Sequence, residues 1–154
     1  MSNHIFKEDA KIKGVLNIKR ISETGEILDE KTIDNTIVTT GKYHIADQLS
    51  DRGESVMSHM AVGTGTTAPA IGDTALQSEL ARKVFDSKTQ GTSTNANVVT
   101  YITTFAPGEG TGTLTEAGIL NAASVGVLLC RTTFSAMTKG ASDTIQLTWT
   151  VTYS

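Results

Sequence analysis

The residues that could carry acid–base or nucleophilic chemistry in this chain are few: His4, His44, His59, a single cysteine at Cys130, and the pair Ser142-Asp143. No His-x-x-x-His pair sets two imidazoles on one helical face, and no run of carboxylates has the spacing of a calcium loop. Each histidine therefore reads as structural, with His44 in a helix and His59 facing solvent from a strand. Ser142-Asp143 with His59 offers the residue types of a hydrolytic triad, but no Gly-x-Ser-x-Gly elbow holds the serine. Cys130 lies in the apolar run Val127-Leu128-Leu129-Cys130, where a thiol serves as a small buried hydrophobe and has no acid–base neighbour. One cysteine also excludes an internal disulfide and a Cys-rich metal site.

Two glycine-rich stretches invite a phosphate-binding reading. Gly63-Thr64-Gly65-Thr66-Thr67 lacks the Gly-Lys-Ser/Thr ending through which a P-loop holds phosphate and magnesium, and it lacks the third glycine of a dinucleotide loop. Gly108-Glu109-Gly110-Thr111-Gly112 precedes a strand, whereas phosphate loops precede a helix N-terminus. Both read as flexible or tightly turning connections. The expectation is a chain with no catalytic residue, no cofactor and no metal.

The elements that would position any site are strands. Thr144 to Tyr153 alternates strictly: Ile145, Leu147, Trp149, Val151 and Tyr153 share one face, and Thr144, Gln146, Thr148, Thr150 and Thr152 share the other. A two-residue period of this kind fits an antiparallel sheet with one buried face and one wetter face. Val98 to Phe105 alternates likewise. Lys11 to Ile21 is a strand with Ile12, Leu16 and Ile18 on one face; Ser22 to Gly25 turns; Glu26 to Val38 returns as one strand carrying Ile27, Ile33 and Ile37. Further strands are expected at Val56 to Val62, Lys83 to Ser87, Leu114 to Leu120 and Val127 to Phe134. Loops are expected at Thr89 to Asn97, Ala106 to Thr113 and Ser135 to Asp143.

Two short helices interrupt this pattern. Thr40 to Leu49 places Tyr43, Ile45, Ala46 and Leu49 on one face, with Thr39 or Thr40 as N-cap and Asp51-Arg52-Gly53 as the stop. Thr74 to Gln77 has capping-box spacing, and Leu76 and Leu80 sit four apart, so a second helix is expected to end near Arg82. Many short strands with turn signals between them predict a mainly β chain, an antiparallel sandwich of jelly-roll type with one or two short helices. Residues 1–10 form an N-terminal arm and residues 11–154 one domain.

Composition agrees. In 154 residues, hydrophobic types make up 38% and charged types 19%, and threonine and glycine supply more than half of the remainder. Threonine is β-branched and suits a pleated, half-exposed surface. A net charge of −3 does not favour nucleic acid as a partner. Lys7, Lys11, Lys13, Lys19 and Arg20 nevertheless crowd the N-terminal end, either as protection of a strand edge or as a patch that docks on an acidic protein surface. No stretch reaches the roughly 18 apolar residues of a membrane span, and the first residues have no apolar signal-peptide core, so a reducing, aqueous compartment is expected.

Three ordered stretches carry a resemblance. MSHMAVGTGTTAPAIGDTALQSELAR (Met57 to Arg82), GTLTEAGILNAAS (Gly112 to Ser124) and LLCRTTFSAMTKGASDTIQLTWTVTYS (Leu128 onward) together resemble small structural proteins of the tailed-bacteriophage virion, of the head-decoration or tail-fibre-related kind. The resemblance covers about the last two-thirds of the chain; Met1 to Val56 departs from it. It implies a β-rich module, often a homotrimer, that binds the major capsid protein or other virion proteins and resides in the virion after assembly in the host cytoplasm. It supplies no catalytic residue.

On that footing the leading expectation is a head decoration, or cement, protein. The arm and Lys7, Lys11 and Lys13 would dock on the capsid, because an extended arm can add a strand to a neighbour's sheet edge. Thr148, Thr150 and Thr152 would form the face where copies meet. A tail, baseplate or fibre adaptor is the alternative. A carbohydrate-binding jelly roll is the third reading, but Trp149 and Tyr153 share the core parity of their strand, which leaves Tyr101 and Tyr43 as its aromatic candidates.

Overall fold

The computed structural model describes residues 10–154 of the chain; Lys7, His4 and nearly all of the expected N-terminal arm lie outside the described residues. Alternation dictates the first sheet. β1 (Ile12–Ile21), β2 (Ile27–Asp34), β6 (Ser87–Gln90), β7 (Val98–Phe105) and β10 (Thr144–Tyr153) pair antiparallel in the order β2-β1-β10-β7-β6. β10 lies at the centre, and its register sets Leu16, Trp149 and Tyr101 in one row and Ile18, Leu147 and Thr103 in the next. All six face the second sheet and are buried.

The second sheet holds β3 (Thr36–Ile37), β4 (His59–Gly63), β5 (Glu79–Val84), β8 (Gly112–Leu120) and β9 (Leu128–Lys139) in the order β3-β9-β8-β4-β5. Met60, Val62, Leu114, Ala117, Ile119, Cys130 and Met137 meet the inward residues of the first sheet in one core. The architecture is a β-sandwich of two antiparallel sheets. At full burial each Leu or Ile of this core adds about 1.5–3 kcal/mol, so the sandwich interface dominates the fold. A smaller apolar cluster of Val38, Ala61, Leu76, Leu120 and Leu128 forms on the outer side of the second sheet, under the long connection from Thr64 to Ser78.

The strand from Thr144 to Tyr153 and the strand from Val98 to Phe105 have the bounds expected from their alternation. Elsewhere tertiary partners redraw the elements. Glu26 to Val38 is not one strand. It breaks at Asn35, whose N–H donates to the Gly14 carbonyl and whose Oδ1 accepts from Trp149 Nε1 at 3.0 Å. Beyond this anchor the chain crosses to the other sheet, so Ile27 is exposed and Ile37 is buried. β1 consequently lies second in its sheet, and its lysines protect no edge; the edge is β2, with Asp29, Glu30, Lys31 and Asp34. β9 runs on to Lys139, so the first half of the expected Ser135 to Asp143 loop is strand. β6 and a 3₁₀ turn at Ser93–Asn95 occupy most of the expected Thr89 to Asn97 loop.

The first helix exists, and its face differs from the expected one. α1 (Thr39–Ser50) buries Gly41 and His44, while Tyr43 and Leu49 are exposed. The cause is backbone contact: a Cβ on Gly41 would collide with the Leu129 carbonyl, so the glycine turn is the side that lies against β9. The N-cap is Val38 without a side-chain bond; Thr39 and Thr40 instead anchor the helix through Thr39 N–H to the Ile71 carbonyl and Thr40 Oγ1 to the Leu128 carbonyl. Asp51, with φ of 53°, ends it in the left-handed region. The second expected helix is absent. Gln77 has the right spacing for a capping box, but its N–H donates to Glu116 and its Oε1 accepts from the Thr67 N–H. From Glu79 the chain pairs with β4 instead.

Candidate docking face and the latch behind it

The outer face of the first sheet collects the odd-numbered residues of β1 and the even-numbered residues of β7 and β10. Register places Lys13, Thr152 and Val98 in one row, Val15, Thr150 and Thr100 in the next, then Asn17, Thr148 and Ile102, then Lys19, Gln146 and Thr104. All are half-buried except Lys13, which is exposed, and no described element covers them. Three strands about 4.8 Å apart and four rows two residues apart, at about 3.4 Å per residue along each strand, give this face an area on the order of 400 Å², about half of the roughly 800 Å² that one partner contributes to a standard interface. Thr148, Thr150 and Thr152 therefore sit together, and Lys13 joins them. Lys11 lies at the end of the same strand, where it and Ser154 exchange backbone hydrogen bonds.

Charge on this face is sparse and partly tied down. Lys19 Nζ is 3.9 Å from Glu30, whose Oε1 also accepts from Asn17 Nδ2 at 3.0 Å. Arg20 points to the other side and pairs with Asp143 at 3.3 Å. The Gly140 N–H, first, and the Arg20 guanidinium hold the Asp143 carboxyl below its ordinary value. Next to this pair, the buried Lys139 donates to the Ala106 carbonyl at 3.0 Å, and burial lowers its pKa against the pull of Asp143 and Glu109.

On the opposite side of the molecule lies an arrangement that residue spacing did not reveal. Glu116, fully buried in β8, accepts four hydrogen bonds. Its Oε1 takes the N–H of Gly65 at 3.0 Å and of Ser78 at 2.7 Å; its Oε2 takes the N–H of Gln77 at 2.9 Å and Arg131 Nε–H at 2.9 Å. Arg131, 2% exposed, also donates to Asp73 Oδ2 and to the Thr67 carbonyl. Thr115 Oγ1 donates to the Gly65 carbonyl at 2.7 Å. One ion pair thus latches both ends and the middle of the Thr64–Ser78 connection to the sheet. Buried ions persist only when every lone pair and proton is used, and here four donors saturate the carboxylate.

The latch gives the sequence motifs a physical meaning. Gly63 and Gly65 do not need positive φ; they are glycines because a Cβ at Gly65 would lie 2.5 Å from Glu116 Oε1 and 2.6 Å from Gln77 Cβ. Gly118 makes room for Leu76, whose Cδ1 would be 2.6 Å from an added Cβ. The Gly-Thr-Gly, Thr-Ala-Leu-Gln and Thr-Glu-Ala-Gly stretches are thereby one contact network. In Gly108-Glu109-Gly110-Thr111-Gly112, by contrast, φ of 82°, 59° and 150° at the three glycines makes a tight turn.

The remaining candidates take structural positions. His44, 4% exposed, donates from Nδ1 to Glu54 at 2.7 Å. His59 Nδ1 is 2.7 Å from Ser58 Oγ, and burial and Arg82 lower its pKa. His59 pairs with Leu120 at one end of β8, whereas Asp143 lies by Gly140, next to the Lys139 that pairs with Gly112 at the other end. Eight residues of strand, about 27 Å, separate the two, so no triad forms. Cys130 is fully buried, and burial pushes its thiol far up. Trp149 is core, Tyr101 is buried, and Tyr43 stands alone on the helix. Among the described residues no group of three or more His, Cys, Asp or Glu side chains could hold a metal ion. Compared with protein-family models, curated proteins and solved structures, the chain matches none.

Proposed function

We propose that this chain is a structural protein of the tailed-bacteriophage virion, a head decoration protein that binds the capsid and stabilises it as a homotrimer. It performs no reaction and uses no cofactor. The observation that carries the reading is the threonine-rich outer face of the first sheet, which no described element covers. It is half-buried in character, about half as large as one side of a standard interface, and bordered by Lys13 and Lys11. β-Branched residues on such a face lose little side-chain entropy when a partner covers them. Symmetric repetition over a shell multiplies a modest patch into high avidity.

Three further features support it. The motifs that resemble virion proteins converge on the Glu116–Arg131 latch, so they keep one loop rigid on the side away from the docking face. The lysines at the N-terminal end suit an acidic capsid surface. β2, the exposed edge, carries charges that discourage stray pairing. The test uses heads that lack the protein, mixed with purified chain. Wild type is expected to bind heads and raise their disruption temperature. Thr150→Arg, at the centre of the face, should weaken binding at least tenfold, and Lys13→Glu should do so less and in a salt-dependent way. Binding of Thr150→Arg equal to wild type would remove this face from the account.

A further inference from the structure

Between α1 and the first sheet the described residues leave an open groove of about 590 Å³, within the roughly 300–1,000 Å³ of small-molecule sites. Ile45 and Leu49 of α1 wall one side, and Val99 of β7 and Tyr153 of β10 wall the other. Its deepest lining is Met57, Tyr101 and Leu129, all buried, and Leu129 belongs to the second sheet. The groove therefore reaches in between the two layers of the sandwich. Two large apolar residues that line it are left in solvent, Leu49 at 86% exposure and Val56 at 53%. Scattered exposed leucines need no explanation; two at the mouth of one apolar groove mark a binding surface.

One uncommitted charge stands in this lining. Lys88 of β6 donates from Nζ to the Met57 carbonyl at 3.0 Å, which uses one of the three protons of an ammonium. Every ion pair among the described residues is made by other groups. The histidine of the lining, His44, is engaged with Glu54. Gln48 and Gln90 turn their amide nitrogens to the Glu54 and Ala96 carbonyls. An apolar trough with a single cation at its wall suits a molecule with an apolar body and one anionic head, because a second charge would be desolvated without a partner. We propose that the groove binds a small aliphatic carboxylate, its chain laid along Ile45, Leu49, Val99 and Tyr153 and its head at the Lys88 ammonium. The inference is independent of the virion reading, since it concerns the free protein.

Calorimetric titration of the full chain with octanoate, decanoate and dodecanoate tests it. One molecule should bind per chain. Each added pair of methylenes should tighten binding at least about fourfold, a part of the roughly fifteenfold that complete burial would give. Leu49→Gln, at an exposed position, should weaken decanoate and decanol alike by at least about threefold. Lys88→Gln should weaken decanoate about threefold, within the range of a solvent-exposed ion pair, and leave decanol unchanged. The near-ultraviolet signal of the core Trp149 should be the same in all three proteins. Absence of saturable binding, or equal decanoate affinity in wild type and Leu49→Gln, would overturn the proposal. Equal effects of Lys88→Gln on decanoate and decanol would overturn the assignment of an anionic head to Lys88. Hydrogen exchange over α1 that slows with protein concentration and not with decanoate would overturn the proposal in favour of a second copy of the chain.

Discussion

Replacing Glu116 by glutamine changes the latch by one proton-bearing nitrogen and almost no volume. If the amide oxygen stays at the Oε1 position, it keeps the N–H groups of Gly65 and Ser78. The amide NH₂ then faces two donors, the N–H of Gln77 and the Nε–H of Arg131, both within 2.9 Å of the carboxylate oxygen it replaces. Two buried donors lose their acceptor at about 1–3 kcal/mol each, and Arg131 loses its buried counter-ion. The expected cost is about 4 kcal/mol, within the range for breaking a buried pair and a large part of the 5–15 kcal/mol typical of a domain. With an m-value of about 2 kcal/mol per molar urea, the midpoint should fall by about 2 M.

Arg131→Met should cost less than Glu116→Gln, because the carboxylate keeps three backbone donors. The double variant should cost at least about 1 kcal/mol less than the sum of the two, since the amide no longer opposes the guanidinium. Urea denaturation followed by Trp149 fluorescence measures all three. Thermolysin supplies the local reading, with cleavage before Ile71 and before Leu76 expected to accelerate in Glu116→Gln while the rest of the chain stays intact. A Glu116→Gln midpoint within about 0.5 M of wild type, equivalent to roughly 1 kcal/mol, would refute the reasoning that the carboxylate holds the loop.

Other expectations follow from single features. Gly65→Ala forces a methyl group against Glu116 Oε1 and should destabilise the fold by about 1–3 kcal/mol, measured by thermal denaturation; a neutral result would show that the loop yields at no cost. Cys130 should resist thiol reagents in the native protein and react with one equivalent once denatured, because its thiol is fully buried and pushed up in pKa. Stability should fall in acid. Lys83 and the Ala106 N–H lower the Glu109 pKa from 4.5, and Asp143 is lowered from 3.8. The unfolded chain therefore binds more protons in the window below those values, and the stability present above them is lost as pH falls through it. His59, lowered from 6.5, adds a shallower loss as pH drops below that value. Melting temperature against pH should show both limbs, and Glu109→Gln should flatten the lower one.

Legibility in the sequence followed the range of the forces involved. β7 and β10 could be read directly because alternation over eight to ten residues is a local consequence of a half-buried sheet. The core role of Trp149 follows from the same parity, and the buried thiol of Cys130 from the apolar run Val127-Leu128-Leu129-Cys130. The break at Asn35 could not be read, since it depends on Gly14 and Trp149, which are distant in sequence. The second helix failed for a related reason: Gln77 has the local spacing of a cap, but a buried carboxylate 39 residues away takes its N–H. Glu116 and Arg131 looked like ordinary alternating strand residues, and only the glycines at 63, 65 and 118 hinted at close approach. Of the candidate interface residues, Thr148, Thr150 and Thr152, expected where copies meet, were legible as a face, while the neighbourhood of Lys13, expected to dock on a partner, with Thr152 required the register of β1 on β10.

Electron microscopy of phage particles that carry a gold-labelled copy of this chain tests the central claim most directly. The account predicts label distributed over the icosahedral head at regular sites, in groups of three. Label confined to the tail, the baseplate or the fibres, or no label on particles at all, would contradict it.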